Sequence, residues 1–354
     1  MDMKEISDLP MVTIIVPCRN EEEFIGQCLD SILDNDYPAE KLEILVVDGM
    51  SEDRTRSIVR GYTEEGRNVK LLDNVRGIIP SAMNTGILRS KGSIIMKVDA
   101  HSAYPKEYIA RCVTNLITSG AGNVGGVVKA IPRSDTVIGR AIVHSLSSRF
   151  GIGNSAFRIG SKEARFSDTA YSGCYQKKIF HEIGLYDENI ERSEDVSINS
   201  RILGSGRKIL LLPDLVITYS ARSTMKDFLK HNYDNGYWVT YPLKFGLRLF
   251  STRHLVPLFF VVGLLLAIVT VSMPSFHGGL KSILLGGFGF IFGTYIFLGL
   301  LFSAQVAFRE REPTMVLIMP LIYASLHLSY GAGSLYGLAE VLFHGSGTRK
   351  IEAA

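Results

Sequence analysis

Asp99-Ala100-His101 directly follows the run Ile94-Ile95-Met96-Lys97-Val98. Two residues apart just beyond a strand, a carboxylate and an imidazole can face one divalent cation, which would bridge them to a diphosphate. A cation there stabilises the negative charge that builds on departing diphosphate oxygens. The same tripeptide also suits a turn cap followed by a surface imidazole. Further along, Ser193-Glu194-Asp195 opens a helical pattern over Val196 to Leu203, with Ile198, Ile202 and Leu203 spaced for burial. Acids in a first turn complement the helix dipole, and a carboxylate at the mouth of a sheet can also take the proton of an attacking hydroxyl. Arg19, Asn20 and Glu21 close a first apolar run and Asp48 a second. Glu21 and Asp48 can accept hydrogen bonds from a base or from ribose hydroxyls, while Asp48 with Gly49 and Ser51 equally suits a tight turn.

Such residues need a scaffold that brings strand ends together. Val12 to Val16 is a continuous β-branched run ended by Pro17, as a strand buried on both faces should be. A helix is predicted after it, capped by Asn20 with Glu23 three residues on. Strand Glu43 to Val47, helix Arg54 to Tyr62, strand Val69 to Leu72, helix Ser81 to Ser90 opened by Pro80, and strand Ser93 to Val98 follow. Gly173 to Gln176 reads as a further short strand or turn. The alternation predicts an α/β domain with a mostly parallel sheet, whose ligands bind beyond the carboxyl ends of the strands. No Gly-x-Gly-x-x-Gly follows the first strand and no phosphate-loop Gly-Lys-Ser/Thr occurs, so a dinucleotide fold and a phosphate-loop ATPase lose their main supports.

The chain has 354 residues, 46% apolar and 21% charged, enough for roughly two folded domains. Its 38 basic and 35 acidic residues leave +3, too little to argue for a nucleic-acid partner. Cys18, Cys28, Cys112 and Cys174 fall singly and read as reduced cytosolic thiols. After His254 the character changes. Leu255 to Ser272, Ile283 to Ala307 and Thr314 to Ala339 carry no Asp, Glu, Lys or Arg. Each matches the ~20 apolar residues that cross a bilayer, and none has the polar face of a soluble core helix. Their cores are read as free of any acid or base, which argues against a transport path.

The first residues, MDMKEISDLP, carry acids and are no secretory signal, so residues 1–254 are expected to stay where they are made. Lys244, Arg248 and Arg253 before the first span, and Arg309 and Arg311 between the second and third, belong inside by the positive-inside rule. The turn about Ser275 to Lys281 then faces out, a placement that Arg349 and Lys350 on the tail oppose. Phe228 to Phe250, rich in Tyr and containing Trp238, is expected to form amphipathic helices at the membrane interface, although its aromatics would also stack on sugars. The expected division is 1–225 for the α/β domain, 226–254 for interface helices, 255–343 for three spans and 344–354 for a polar tail.

Val12 to Glu21, Leu45 to Thr55, Asn84-Thr85-Gly86-Ile87 and Val98 to His101, in that order, resemble glycosyltransferase family 2 with its GT-A fold. Asp-Ala-His in place of Asp-x-Asp, then Tyr104-Pro105, is similar to the succinoglycan-biosynthesis ExoA type within it, as is Tyr330 to Leu338 in the last span. The resemblance implies inverting transfer of a sugar from a nucleoside diphosphate sugar. It implies that Pro17, Arg19, Glu21 and Asp48 hold the nucleotide. Asp99 and His101 would hold a metal, Mn²⁺ or Mg²⁺, with the diphosphate. Asp195 would be the base and Glu194 a supporting acceptor-site residue. A polyprenyl-linked glycan at the cytoplasmic membrane is the expected acceptor, with the catalytic domain on the cytosolic side. The alternatives are a polyprenyl-phosphate sugar synthase and a non-catalytic membrane protein that binds nucleotide. The segment His231 to Trp238 replaces the Gln/Arg-rich motif ending in Trp of processive relatives.

Overall fold

The computed structural model describes residues 9–248, 251–272 and 279–343. Its contacts divide into two units, one of residues up to Ala130 with Ala156–Ser220, the other of Ile131–Ser155 with residues from Ala221 onward. Residues 1–8, most of the turn beginning at Ser275, and Arg349 and Lys350 lie outside the described residues.

The first unit is an α/β domain. Strands β1 (Val12–Cys18), β2 (Leu42–Asp48), β3 (Val69–Asp73) and β4 (Ile94–Lys97) alternate with helices α1 (Ile25–Leu33), α2 (Thr55–Glu64) and α3 (Ile79–Arg89). The continuous apolar runs are explained by burial on both faces. Ile14, Val16, Ile44, Val46, Ile94 and Met96 point to one core with Ile25, Leu29 and Ile32 of α1, while Ile15, Leu45, Val47 and Ile95 point to the other with Met83 and Ile87 of α3. Gly86 lets α3 sit on the sheet, since a Cβ there would lie 2.6 Å from Ile15 Cγ2.

β1 pairs in parallel with β2 and β4, and β2 with β3. Beyond β4 the sheet is antiparallel. After helix α4 (Tyr108–Ser119) come β6 (Asn123–Pro132), β7 (Arg165–Ser167), β8 (Tyr171–Gln176) and β9 (Ile209–Ala221), and the two-residue β5 (Ser102–Ala103) pairs with β9. The full order is β3-β2-β1-β4-β8-β6-β9-β5, with β7 on β9. The parallel expectation describes the half built by strand–helix alternation. Where the alternation stops, β8 runs opposite to β4.

One expectation fails locally. The first helix starts at Ile25 without a side-chain cap. Asn20 sits at φ 55°, donates its N–H to Ser51 Oγ at 2.8 Å and accepts from the Glu52 N–H at 2.9 Å. Its side chain ties the loop after β1 to the loop after β2 and is not available to the helix.

The second unit is helical. Helix α5 (Val137–Leu146) is capped by Thr136, whose Oγ1 accepts from the Gly139 N–H. Helix α6 (Glu194–Gly204) belongs to the first unit, and α7 (Met225–Thr240) returns to the second. Among the described residues three helices are long and apolar enough to cross a membrane: α8 (Thr252–Ser272), α9 (Gly279–Glu310) and α10 (Met315–Phe343). The expected interface segment forms α7 and the short 3-10 turn Tyr241–Phe245, and residues 249–250 lie outside the described residues. The buried face of α7 seats on α10. A Cβ at Gly236 would collide with the Tyr330 carbonyl and one at Gly333 with the Tyr233 carbonyl, and Thr240 Oγ1 donates to the Ser334 carbonyl at 2.7 Å.

Residues 131–155, expected within the α/β domain, group with these helices. Ala141 and Ile142 of α5 pack with Met315, Met319 and Tyr323 of α10, and Arg140 grips Glu312 through two hydrogen bonds of 2.7 and 3.1 Å. Phe150 packs against Tyr295, Phe302, Tyr323 and His327. The reading of the spans as free of any acid or base is corrected by His327. Its Nδ1 is 2.9 Å from the Tyr295 hydroxyl and its Nε2 is 3.3 Å from the Gly151 carbonyl, so polar partners accommodate it inside the apolar helices.

Candidate active site

The short strand β4 ends at Lys97, and the turn after it projects Asp99 and His101 beyond the carboxyl edge of the parallel half-sheet. The Asp99 N–H donates to the Tyr104 hydroxyl at 3.0 Å, and the Ser102 N–H to the Asp99 carbonyl at 3.1 Å. Pairing of Ser102 with Tyr219 on β9 then brings the Tyr219 ring edge-on to the His101 imidazole, 5.1 Å between centroids.

His101 Nδ1 lies 2.8 Å from Glu21 Oε1. A carboxylate partner assigns the proton to Nδ1 and leaves Nε2 as the acceptor of the ring. Glu21 is anchored in turn, its N–H donating to Thr55 Oγ1 at 2.8 Å. The residue expected to meet the nucleotide therefore stands behind the imidazole. Burial works against ionisation of Asp99, but Lys97, His101 and a hydrogen bond from Tyr171 outweigh it and hold the carboxyl below the usual range.

These features bear on whether a divalent ion suits the site. Among the described residues no group of three or more His, Cys, Asp or Glu side chains is arranged to hold a metal ion by itself. Asp99 and His101 would supply two ligands, leaving the rest to phosphate oxygens and water, the usual manner of a cation that arrives with its phosphates. The His101 tautomer, with Nδ1–H on a carboxylate, is that of a metal-binding imidazole. The donor set fits.

Lys97 is the residue that sequence reasoning missed. Only 4% of its side chain is exposed, and its ammonium lies 2.7 Å from Asp195 Oδ2, 2.9 Å from Glu194 Oε1 and 3.6 Å from Asp99 Oδ1. Helix α6 starts directly at Glu194, after Ser193 in a left-handed conformation, and so delivers both acids to the same ammonium. Glu194 is nearly buried whereas 45% of the Asp195 side chain is exposed. Although one side of Asp195 is open, the protein packed around the rest of the residue disfavours its charged form, and this, helped by Glu194 and Asp99 and opposed by Lys97, raises the carboxyl to about 6. The available signal was a lysine closing a strand buried on both faces, where lysine is almost never found unpaired.

Asp48, expected either to meet the nucleotide or to build a tight turn, lies at the end of β2. It is fully buried and accepts from the Ser51 N–H at 2.9 Å, the Ser51 hydroxyl, Arg56 Nη1 at 2.6 Å and Cys18 Sγ at 3.7 Å. Burial opposes its ionisation, but the Ser51 and Arg56 hydrogen bonds outweigh that and keep it below the usual carboxylate range. With its lone pairs engaged, Asp48 builds the turn. Pro17 lies one residue before the end of β1 and pairs with Val47. The exposed Arg19 runs past Gly49 and Gly77, and a Cβ on Gly77, at φ 66°, would stand 3.1 Å from Arg19 Nη1. Asp99, Glu194 and Asp195 are thus gathered around Lys97, Glu21 and His101 form a second pair, and Asp48 with Arg56 forms a third group.

The family model described as Glycosyl transferase family 2 matches residues 13–184, which include Asp99-Ala100-His101 and stop short of Glu194 and Asp195. Glycosyltransferase AglE of Haloferax volcanii is 33% identical over 226 residues, covering 61% of this chain and 69% of its own length. Dolichyl N-acetyl-alpha-D-glucosaminyl phosphate 3-beta-D-2,3-diacetamido-2,3-dideoxy-beta-D-glucuronosyltransferase of Methanococcus voltae is 26% identical over 340 residues, covering 93% of this chain and 97% of its own. Succinoglycan biosynthesis protein ExoA of Rhizobium meliloti is 26% identical over 235 residues, 62% of this chain and 70% of its own. Among solved structures, Mannosyltransferase PcManGT from Pyrobaculum calidifontis shares the fold with a TM-score of 0.59 at 19% identity, covering 94% of this chain and 88% of that one.

Proposed function

Because the chain belongs to glycosyl transferase family 2 and is a glycosyltransferase, we propose that it moves a hexosyl group from a nucleoside diphosphate sugar to a hydroxyl of a lipid-linked glycan, inverting the anomeric carbon. The observation that carries this reading is the cluster on Lys97, which puts Asp99 and Asp195 within reach of one ammonium.

The donor lies across the carboxyl edge of the parallel strands, with its nucleotide against the loops after β1 and β2. Arg19 offers a cation there, while Asp48 and Arg56 keep the second loop in shape. A divalent ion, Mn²⁺ or Mg²⁺, would be held by Asp99 and His101 and, when bound, offsets the charge on the departing diphosphate. Glu21 holds His101 in orientation for that task. Asp195, poised near neutrality with its Oδ2 fixed by Lys97, takes the acceptor's proton on Oδ1 as the hydroxyl attacks opposite the leaving group. An α-linked donor then gives a β-linked product.

The acceptor class is supported by the name of the Methanococcus voltae relative, which acts on a dolichyl N-acetylglucosaminyl phosphate, and by three helices able to span a membrane. The GDP-Man and Mn²⁺ held in the Pyrobaculum calidifontis complex support the donor class and the metal. The basic residues flanking α8 and joining α9 to α10 support a catalytic domain on the cytosolic side of the cytoplasmic membrane. The Arg140–Glu312 pair agrees, holding the α9–α10 turn to residues 131–155.

Asp195→Asn tests the reading. Release of nucleoside diphosphate with a lipid-linked saccharide should vanish while calorimetric donor affinity stays within about three-fold of the parent, as loss of a base but not of binding requires. An active variant removes the base from Asp195. Transfer to polyprenyl phosphate in place of the saccharide overturns the hydroxyl acceptor, since phosphate needs no base.

A further inference from the structure

We infer that Lys97 is a positioning residue, one that never touches substrate but locks Asp195 Oδ2 so that the other oxygen alone faces the acceptor, and that joins this carboxylate to Asp99 on the donor side. The inference deepens the proposed function and rests on Asp195 being the base.

Three observations carry it. With 4% of its side chain exposed, Lys97 turns its ammonium into the protein, toward carboxylates. Its ammonium faces three carboxylates, and the two short contacts go to the acids on α6. These two acids differ in freedom. Glu194 is nearly buried and faces Lys97, whereas Asp195 has an open side on which water would compete for its carboxylate without the ammonium. Glu194 thus steadies the lysine and the lysine steadies Asp195. A carboxylate free to rotate presents its lone pair to the acceptor for only part of the time, and misplacement of that kind lowers the rate of the chemical step without weakening the donor.

The arrangement also explains the sequence around it. Lys97 extends from the last residue of β4, whose partner in β1 is the fully buried Ile15, so the strand end is fixed by the sheet. Ser193 adopts a left-handed conformation that opens α6 directly on Glu194. Strand and helix are tied here by one ammonium and two acids.

The test uses the full chain in lipid nanodiscs and compares Lys97→Met with Asp195→Asn. For Lys97→Met, kcat should fall about 100-fold, the lower end of what a general base contributes, while donor affinity and acceptor KM stay within about three-fold of the parent, as an interaction made only in the transition state requires. A purely structural role would lower donor affinity and the thermal midpoint together with kcat, and that outcome overturns the inference, as does an unchanged kcat. Should Lys97→Met fail to fold, the double variant K97M/E194Q removes one buried charge of each sign and is better tolerated. In it a lowered kcat with retained donor affinity supports the inference, and a parental kcat overturns it. If Asp195→Asn is inactive while Lys97→Met is normal, only the inference falls. If Asp195→Asn is active, the base assignment itself falls.

Discussion

Glu21 and His101, 80 positions apart in sequence, meet at 2.8 Å through Oε1 and Nδ1. The loop after β1 and the turn after β4 are neighbours only because β1 pairs with β4. The contact gives the acid expected at the nucleotide a further task, holding the imidazole's proton. Glu21→Ala should therefore weaken Mn²⁺ binding in the presence of nucleoside diphosphate by about 10–100-fold, the usual cost of losing such a partner. Calorimetric titration of Mn²⁺ checks this, and an unchanged affinity would place Glu21 back among the nucleotide contacts.

The pH profile should carry the signature of Asp195. Its carboxyl is raised to about 6, and a base works only when ionised. The rate constant kcat/KM should be level above that value and fall as pH drops through it, tenfold per unit once the acid form dominates. A profile that stays flat down to pH ~5 would contradict the raised carboxyl.

Close backbone approach between α7 and α10 predicts intolerance of one methyl group. Gly333→Ala should lower the thermal midpoint in detergent, because its Cβ would meet the Tyr233 carbonyl. Overpacking of this kind costs about 1–3 kcal/mol. Gly263→Ala is the control, since a Cβ there meets nothing within 4 Å. Equal midpoints for the two variants would show that α7 does not depend on this contact.

The parallel half of the sheet was legible because burial on two faces writes unbroken apolar runs such as Val12–Val16. Of the antiparallel half only the end of β8 was legible, as the short strand or turn Gly173 to Gln176. β6 and β8 contain Gly125, Gly126 and Gly173 and break both periodicities, and α5 is too short for its apolar character to separate helix from strand. Asp99, His101, Glu194 and Asp195 could be named because they stand at strand and helix ends. What gathers Asp99, Glu194 and Asp195 could not, because Lys97 looked like the polar end of a strand, and its partners on α6 lie 97 and 98 positions away. Asn20 misled for the same reason. Its N–H and its side chain are engaged by a loop 31 and 32 positions downstream and so are not available to the helix.

The strands of the catalytic sheet are interrupted, between β6 and β7, by a stretch whose apolar side is buried against α10. Trimming the gene at residue 220 to obtain a water-soluble enzyme would therefore leave Ala141, Ile142 and Phe150 bare on a loop that the shortened protein still contains. A soluble catalytic fragment would need a second cut, with the 131–155 excursion replaced by a short polar hairpin.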